Sequence, residues 1–476
     1  MISKIGHQLY RESGLSSVHT AGRDAWLIIL SRTCRMFAYG GAGSLILALF
    51  FAELGVPDSR IGLFMSLTRA GDVALSLLVT LVADNWVGRR RSLLAGSVLM
   101  VLSGTTFALC ENYWVLLVAA VLGIVSATGA DAGPFRAIEE STLSELTGPQ
   151  TRADVLAWYV TSAALGQAVG IEISGRVIER LRKRDGWTLL DAYHLCFWLY
   201  VVMGAVGIAA SLLLSDKCEL RKPSEKSSET EPFLRTEEQG TSAGGNDGNS
   251  RFAQISRETL SVVSVLWFLL MVDSLADGMV GMSLTTYYMD QKFGQRLSKA
   301  TLGDVVSASY FLAACSTVFS GNLSRRLGLV NTMVFTHIPS SIAVLLFPFP
   351  PGVALTVTLL LLRMGLNNMD QAPRTALIAA VVRPEERTAV MGITSMLRTL
   401  ASTVGPFITG VLSGNDRFWL AFVMAGSLRL AYDLGLFAMF INIKLYKHEP
   451  MADGDEHILQ ERPADDEELS ETQSNH

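Results

Sequence analysis

The stretch Asp131-Ala-Gly-Pro134-Phe-Arg136, followed by Pro149-Gln-Thr-Arg152, recurs later in the chain in a related form. The later copy reads Asp370-Gln-Ala-Pro373-Arg374, followed by Pro384-Glu-Glu-Arg387. In each copy an Asp lies three residues before a Pro, an Arg lies three residues after a later Pro, and a long apolar run begins next. A motif that recurs with the same spacing indicates an internal repeat.

A second pair of stretches supports the repeat. Asp84-Asn-Trp-Val-Gly88-Arg89-Arg90 corresponds to Gly321-Asn-Leu-Ser-Arg325-Arg326-Leu-Gly328. Each stretch comes two apolar runs before the matching copy of the first motif. Because the two echoes follow in the same order at corresponding places, the sequence predicts two parallel repeats.

The apolar runs are long enough to cross a membrane. Of the 476 residues 50% are hydrophobic and only 17% are charged, and the mean hydropathy is +0.35. Soluble domains carry about 25% charged residues, and a membrane-spanning helix needs about 20 mostly apolar ones. Twelve such runs, here called spans 1 to 12, are predicted at 24–50, 60–83, 92–109, 113–131, 153–175, 192–214, 258–288, 301–323, 330–349, 352–370, 388–412 and 417–445.

Three polar segments divide the chain. Residues 1–23 form a cytosolic lead, residues 215–257 form a disordered cytosolic linker, and residues 449–476 form an acidic disordered cytosolic tail. Between them lie an N-terminal half at 24–214 and a C-terminal half at 258–448, with six spans each. The predicted fold is an all-α integral membrane protein of twelve transmembrane helices in two parallel six-helix repeats.

Several functional classes lack support in the sequence. The five cysteines are scattered, without metal or disulfide spacing. The net charge of −5 gives no basic footprint for nucleic acid. No Gly-x-x-x-x-Gly-Lys-Ser/Thr loop, metal cluster or nucleophile motif is present. We therefore expect no enzyme, no cofactor, no metal and no nucleic-acid partner.

With these motifs the chain resembles the major facilitator superfamily over nearly all of its helical length. The family signature between spans 2 and 3 fits Asp84 and Gly88-Arg89-Arg90, with one extra residue between the Asp and the Gly. The copy after span 8 keeps Gly321 and Gly328, with Arg325 in place of the Asp. The Gly-Pro signature of the proton-coupled drug exporters is missing from span 5, so no subfamily is assigned.

The resemblance implies a role for charges at the cytosolic ends of the spans. In the family such charges lock one face shut and separate as the halves rock. The candidate gate and motif residues are Asp84, Gly88, Arg89, Arg90, Asp131, Arg136, Arg152, Gly321, Arg325, Gly328, Asp370, Arg374 and Arg387. The alternative is that they are topology signals and solvated loop charge.

Span 7 carries the most informative buried charges. Asp273 and Asp277 lie four residues apart on one helix face. Two neighbouring carboxylates in a low dielectric cannot both ionise cheaply, so one of them can carry a proton. The alternative is a static salt bridge between helices, from either aspartate to Arg35 or Arg363.

The family places spans 1, 4, 7 and 10 around a central cavity. That arrangement puts Arg32, Arg35 and Tyr39 of span 1 opposite the two aspartates. In span 10, Arg363, Asn367 and Asn368 form a polar stripe, which indicates either solute binding or helix packing. Two further sets of charges, Arg69 with Asp72 and Arg429 with Asp433, have the spacing of local ion pairs.

The distribution of basic residues predicts the orientation. Lys and Arg are more frequent in the loops on the side of the two termini, so both termini are expected in the cytosol. Residues 176–184 form a basic exception on the outer side, either an amphipathic end of span 5 or a funnel for anions. The expected membrane is the plasma membrane, with a vacuole-like organelle second.

Together these features predict a monomeric secondary transporter in the lipid bilayer. It moves a small polar or charged solute by alternating access, coupled to protons as a symporter or antiporter. A drug or metabolite exporter that works by proton antiport is the alternative within this class. A solute receptor or scaffold that does not transport is the alternative from another class.

Overall fold

The computed structural model describes residues 15–82, 88–123, 134–215, 218, 257–382 and 387–440. Regular secondary structure in these ranges is entirely helical. The predicted gate residues Asp84 and Asp131 lie outside the described residues, as do the tail and most of the lead and linker. Gly321, Arg325 and Arg387 lie in described helices, but their side chains and burial are not described.

Each predicted span overlaps a helix or a short series of helices. A first helix, Leu15–Ala21, precedes span 1. In the first half the spans are Arg23–Glu53, Asp58–Val82, Arg89–Leu109, Tyr113–Gly123 with Pro134–Leu146, Pro149–Arg182 and Leu189–Leu212. In the second half they are Arg257–Met279 with Met282–Phe293, Lys299–Leu327, Leu329–Leu346, Val353–Asn367 with Gln371–Val381, Arg387–Gly414 and Phe418–Phe440.

Among the described residues, four helices are individually long and apolar enough to cross a membrane: Arg23–Glu53, Arg89–Leu109, Leu189–Leu212 and Phe418–Met439. The two parts of span 7 meet at 41° and qualify together as a fifth. Several other spans carry charges within the apolar run, such as Arg69 and Asp72 in span 2 and Arg398 in span 11. Such residues lower the mean hydropathy of a helix and call for partners inside the protein.

In the part of the chain that the structure describes, three spans contain irregular backbone in their middle. Span 1 is π-helical at Tyr39–Ile46, span 7 is broken at Val280 and Gly281, and span 10 has a 3₁₀ turn at Asn368–Asp370. Irregular backbone at membrane depth is tolerated only where it is buried in protein or lines a cavity. These are three of the four spans that the family resemblance places around the cavity.

Span 1 and span 5 touch backbone to backbone. A Cβ added to Gly170 would lie 2.0 Å from the carbonyl oxygen of Phe37, and one added to Gly40 would lie 2.4 Å from the carbonyl oxygen of Gln167. Small residues allow such close approach, which drives helix association where lipid offers no hydrophobic gain.

The two halves meet tightly at one end of the molecule. This end carries the loops 54–57, 183–188, 294–298 and 415–417, and is here called the closed end. A Cβ on Gly62 would lie 2.7 Å from the Cα of Gly410, and one on Gly175 would lie 3.0 Å from the Cα of Gly303. The main apolar core also includes side chains of both halves.

Polar contacts join the halves at the closed end as well. The Tyr287 hydroxyl donates to Asp58 Oδ1 at 2.7 Å, and the Ser413 hydroxyl donates to Asp58 Oδ2 at 2.5 Å. Arg176 lies 3.3 Å from Asp304 on the opposite half. The structure is therefore that of a two-half bundle shut at this end.

Gly170→Ala should destabilise the protein, because the added methyl group collides with the carbonyl of Phe37. We expect a cost of about 1–3 kcal/mol, the usual range for overpacking. The measurement is the thermal unfolding midpoint of the purified protein in detergent. Gly392→Ala is the matched control, since a Cβ there meets no atom within 4 Å. Equal midpoints for the two variants would refute the close contact of spans 1 and 5.

Candidate functional site

The two aspartates of span 7 bind arginines of the same half. Asp273 is fully buried, and its Oδ2 lies 3.3 Å from Arg374 Nη2. Asp277 Oδ1 accepts a hydrogen bond from Arg429 Nη1 at 2.9 Å, and 34% of the Asp277 side chain is exposed. Salt bridges between helices do form, but with spans 10 and 12 rather than with Arg35 or Arg363.

Arg429 is fully buried and links four spans. Besides Asp277 of span 7, it donates to the Asn367 side-chain oxygen of span 10 and, at 3.3 Å, to Ser340 Oγ of span 9. Its Nη2 also lies 2.7 Å from His337 Nε2. The spacing predicts a local ion pair of Arg429 with Asp433, and this prediction is wrong. The arginine side chain instead extends to Asp277 on another helix.

His337 was not singled out from the sequence, yet it lies at the centre of this cluster. An arginine can only donate, so His337 Nε2 must accept from Arg429, and the proton sits on Nδ1. Nδ1 then donates to Asp433 Oδ1 at 2.7 Å, and Ser341 Oγ donates to Asp433 Oδ2 at 2.8 Å. The signal in the sequence was a histidine followed by Ser340 and Ser341 inside an apolar span.

Two predicted gate residues belong to the same cluster. Asp370 and Arg374, both buried, form an ion pair, and Arg374 also reaches Asp273. Through these contacts the second helix of span 10, Gln371–Val381, binds span 7. The cluster of Asp273, Asp277, His337, Asp370, Arg374, Arg429 and Asp433 is here called the C-half network.

The first half contains a second buried cluster. Arg35 donates two hydrogen bonds to Glu139, at 3.0 and 2.7 Å, and the Tyr159 hydroxyl donates to Glu139 at 2.7 Å. The Arg32 guanidinium stacks on the Tyr159 ring, 3.8 Å from its centroid. Arg32 and Arg35 were expected opposite the span 7 aspartates, but they pack on spans 4 and 5 of their own half.

The sequence does not indicate Glu139 as a site residue, because the predicted spans leave residues 132–152 in a loop. The structure forms a helix there, Pro134–Leu146, and buries Glu139 almost completely. The two clusters occupy corresponding spans with opposite polarity. Arg35 on span 1 pairs with Glu139 in the second helix of span 4, whereas Asp273 on span 7 pairs with Arg374 in the second helix of span 10.

The remaining cavity candidates have mostly structural partners. Tyr39 stacks on Tyr200 of span 6, with ring centroids 6.2 Å apart. Arg363 donates to the Val280 carbonyl at 2.6 Å and to Thr285 Oγ1 at 3.2 Å, and so holds the break in span 7. The Asn368 side-chain oxygen accepts from Gln371, close to it along the chain.

The motif residues between spans 2 and 3 and after span 8 adopt matching conformations. Gly88 and Gly328 have φ values of +85° and +87° and each precedes the first residue of the next span. Positive φ favours glycine, which explains why both repeats carry one there.

Three gate arginines of the first half, Arg89, Arg90 and Arg136, have described partners in that same half. Buried Arg89 lies 2.7 Å from Glu145, and Arg90 donates to the Leu212 carbonyl at 2.7 Å. Arg136 forms an exposed pair with Glu140 at 2.7 Å, and Arg152 is exposed. None of these contacts joins one half to the other.

A cavity of about 250 Å³ lies between the halves, bounded by spans 2, 7 and 11. Its lining residues are Arg69, Ser274, Asp277, Gly278, Ser395, Arg398, Thr399 and Ser402. Arg69 donates to the Ser402 carbonyl at 2.8 Å, and Arg398 Nε donates to Ser274 Oγ at 3.1 Å. Asp277 belongs to both the cavity and the C-half network.

Sequence comparison places the chain among known proteins. A family model described as Major Facilitator Superfamily matches residues 28–265 and again residues 266–461. The chain is 34% identical over 439 residues to the protein named "Uncharacterized membrane protein YJR124C" of Saccharomyces cerevisiae (strain ATCC 204508 / S288c). That match covers 89% of this chain and 95% of the yeast protein.

Solved structures with the same fold are transporters. The nucleoside transporter NupG matches with a TM-score of 0.66 at 12% identity, over 88% of this chain and 99% of that one. A POT family transporter in complex with a thioalcohol conjugated peptide gives 0.64 at 13%, over 88% and 96%. A bacterial homolog of the human lysosomal transporter Spinster gives 0.62 at 11%, over 88% and 96%. Together with the family match, these likenesses confirm the predicted fold class.

Arg35→Met should destabilise the protein strongly, because it leaves the Glu139 carboxylate buried without its cation. Breaking a buried pair costs about 3–5 kcal/mol, whereas an exposed pair contributes at most about 1 kcal/mol. Arg136→Met, which breaks the exposed pair with Glu140, is the control. Thermal unfolding in detergent measures both.

The double variant Arg35→Met/Glu139→Gln tests the cause. Removing the buried charge as well should recover part of the lost stability, since the side-chain amide oxygen introduced by Glu139→Gln can still accept from the Tyr159 hydroxyl. Glu139→Gln is measured alone as well. If the stability lost in the double variant equals the sum of the losses in Arg35→Met and Glu139→Gln, the ion pair is not the source of the effect.

Proposed function

This chain belongs to the Major Facilitator Superfamily, and from that premise we propose that it is a secondary transporter of a small polar or charged solute, coupled to protons. The supporting observation is the cavity between the halves, whose wall includes Asp277 of the C-half network. Alternating access would open this cavity to one side and then to the other as the halves rock. The same premise favours transport over catalysis.

The closed end indicates which conformational state of the transport cycle the structure represents. The distribution of Lys and Arg predicts that the loops at the closed end face outward. With those loops outside, the molecule is shut toward the exterior, and the cavity serves the cytosolic side. We propose the inward-facing state for this conformation, with both termini in the cytosol.

Asp277 is the group best placed to couple protons to movement. It is the most exposed carboxylate of the C-half network, whereas Asp273, Asp370 and Asp433 have side chains at most 2% exposed. A proton that enters from the cavity would therefore reach Asp277 first. Once neutral, Asp277 no longer pairs with the Arg429 cation.

Release of Arg429 would change the contacts of four spans. Asp273 Oδ1 has no hydrogen-bond partner in the described part of the chain, so it can accept a new donor. A shift of Arg429 toward Asp273 would loosen Asn367 and His337 at the same time. We propose that this rearrangement links the proton to the rocking of the halves.

The test is proton movement in liposomes that contain the purified full chain and a pH-sensitive dye. Pools of anionic, zwitterionic, cationic and neutral solutes are added outside. One pool should move protons in the wild type, and Asp273→Asn/Asp277→Asn should reduce the rate at least tenfold. Asp185→Asn, in an exposed loop, is the matched control and should transport normally.

Three other outcomes are informative. Exchange of labelled solute without proton movement would contradict the coupling and leave facilitated diffusion or another ion. Proton movement opposite to the solute would indicate an antiporter, and hence the drug or metabolite exporter. Binding without any exchange would favour the receptor or scaffold. Asp277→Asn alone serves if the double variant does not fold.

The proposed location is the plasma membrane, with a vacuole-like organelle second. A fluorescent fusion viewed in cells distinguishes the two membranes. An antibody added outside the cells should label an epitope at either terminus only after the plasma membrane is permeabilised, because both termini are proposed to be cytosolic. Labelling of intact cells would reverse the orientation and make the closed end cytosolic.

A further inference from the structure

The cavity carries two guanidinium groups that form no ion pair with a described residue. Arg69 uses Nη1 for the Ser402 carbonyl, and Arg398 uses Nε for Ser274 Oγ. The other donors of both side chains have no hydrogen-bond partner among the described residues. An arginine within a membrane protein is costly unless its charge meets a partner or water.

The lining of the cavity carries two arginines and one carboxylate, so its net charge is positive. Asp72 lies outside the lining, and the local ion pair with Arg69 that the spacing predicts does not form among the described residues. Asp277 is the carboxylate on its wall, and Arg429 already neutralises it at 2.9 Å. Two neighbouring hydroxyls are occupied within span 11, since Thr399 donates to the Ser395 carbonyl and Ser402 donates to the Thr399 carbonyl, both at 2.8 Å. The donors left for a solute are mainly those of the two arginines.

We propose that this cavity binds an organic anion, with a carboxylate or phosphate group held by Arg69 and Arg398. The inference rests on the proposed function and names the class of its solute. The guanidinium fork matches the geometry of both anionic groups and binds them through paired hydrogen bonds. Because the two arginines lie on spans 2 and 11, which belong to different halves, the anion would bridge the halves.

The lining of the cavity favours a polar solute. Seven of the eight lining residues carry a polar or charged side chain, and the eighth is Gly278. A polar metabolite matches this wall better than a hydrophobic drug does.

The positive field of the cavity can be tested without knowing the solute. Ser395→Cys, in a chain with Cys34, Cys110 and Cys315 replaced by serine, places one accessible thiol on the cavity wall, because the two remaining cysteines, Cys196 and Cys218, are buried. Its reaction rates with an anionic and a cationic methanethiosulfonate are compared, each divided by the rate with free N-acetylcysteine. We expect the anionic reagent to be favoured about tenfold, as charged clefts raise local ion concentration.

Variants assign this preference to the two arginines. Arg69→Gln/Arg398→Gln should abolish it, whereas Arg182→Gln/Arg184→Gln, exposed near the closed end, removes the same charge and should not. Equal rates for the two reagents in the parent chain, or a preference for the cation, would overturn the proposal. So would a preference that persists without Arg69 and Arg398.

Solutes matched in size separate the solute class from transport itself. Glutarate, glutaramide and cadaverine differ in charge, and glycerol phosphate and glycerol form a second set. Binding is measured by thermal stabilisation, and exchange is measured in liposomes. Thermal stabilisation by glutarate or glycerol phosphate that is lost in Arg69→Gln/Arg398→Gln supports the proposal. Which of the two anions stabilises the protein shows whether the site prefers a carboxylate or a phosphate.

The remaining outcomes are distinct. Binding of these anions without exchange would retain the anion site and refute transport. Exchange of cadaverine, glutaramide or glycerol, with no effect of either anion, would retain transport and refute the anion site. Failure of every probe to bind, together with equal thiol rates, would also refute it.

Discussion

The buried guanidinium of Arg429 is the group on which the arrangement of the second half depends. A cation without contact to water is tolerated only when several polar groups surround it. Asp277, Asn367, Ser340 and His337 provide that shell from spans 7, 9 and 10. Four helices must therefore keep their positions to solvate one charge. The break in span 7 is held in the same way, because both Arg363 and Thr285 donate to the Val280 carbonyl.

The arrangement of the spans can be predicted from the sequence, because membrane-spanning helices are recognised as long runs of high hydropathy. The repeat was equally readable, and the structure explains one part of it, the glycines Gly88 and Gly328 at positive φ. The partners of buried charges were not readable. Spacing along one helix suggested Arg429 with Asp433, whereas the partners actually come from neighbouring helices. A single sequence does not show which helices pack against each other.

Two residues of the site were missed for different physical reasons. Glu139 lies in a stretch too polar to suggest a span, yet the helix Pro134–Leu146 turns that residue inward to Arg35. His337 lies in an apolar span, where a histidine usually has an unremarkable hydrogen bond. Its importance comes from three spans that meet around the ring. Both cases show tertiary packing overriding what local pattern indicates.

The glycine contacts at the closed end have a consequence for variation in this chain. Where Gly62 meets Gly410 and Gly175 meets Gly303, the halves touch through backbone alone. A single added methyl group there would collide with the backbone of the opposite half while the closed end is shut. If the halves rock as proposed, such a change would favour the state that is open at this end, because a contact that disfavours one state shifts the population toward the other. Under the proposed alternating access, a substitution at these four positions would therefore act on the balance of conformations, since none of the four lines the cavity.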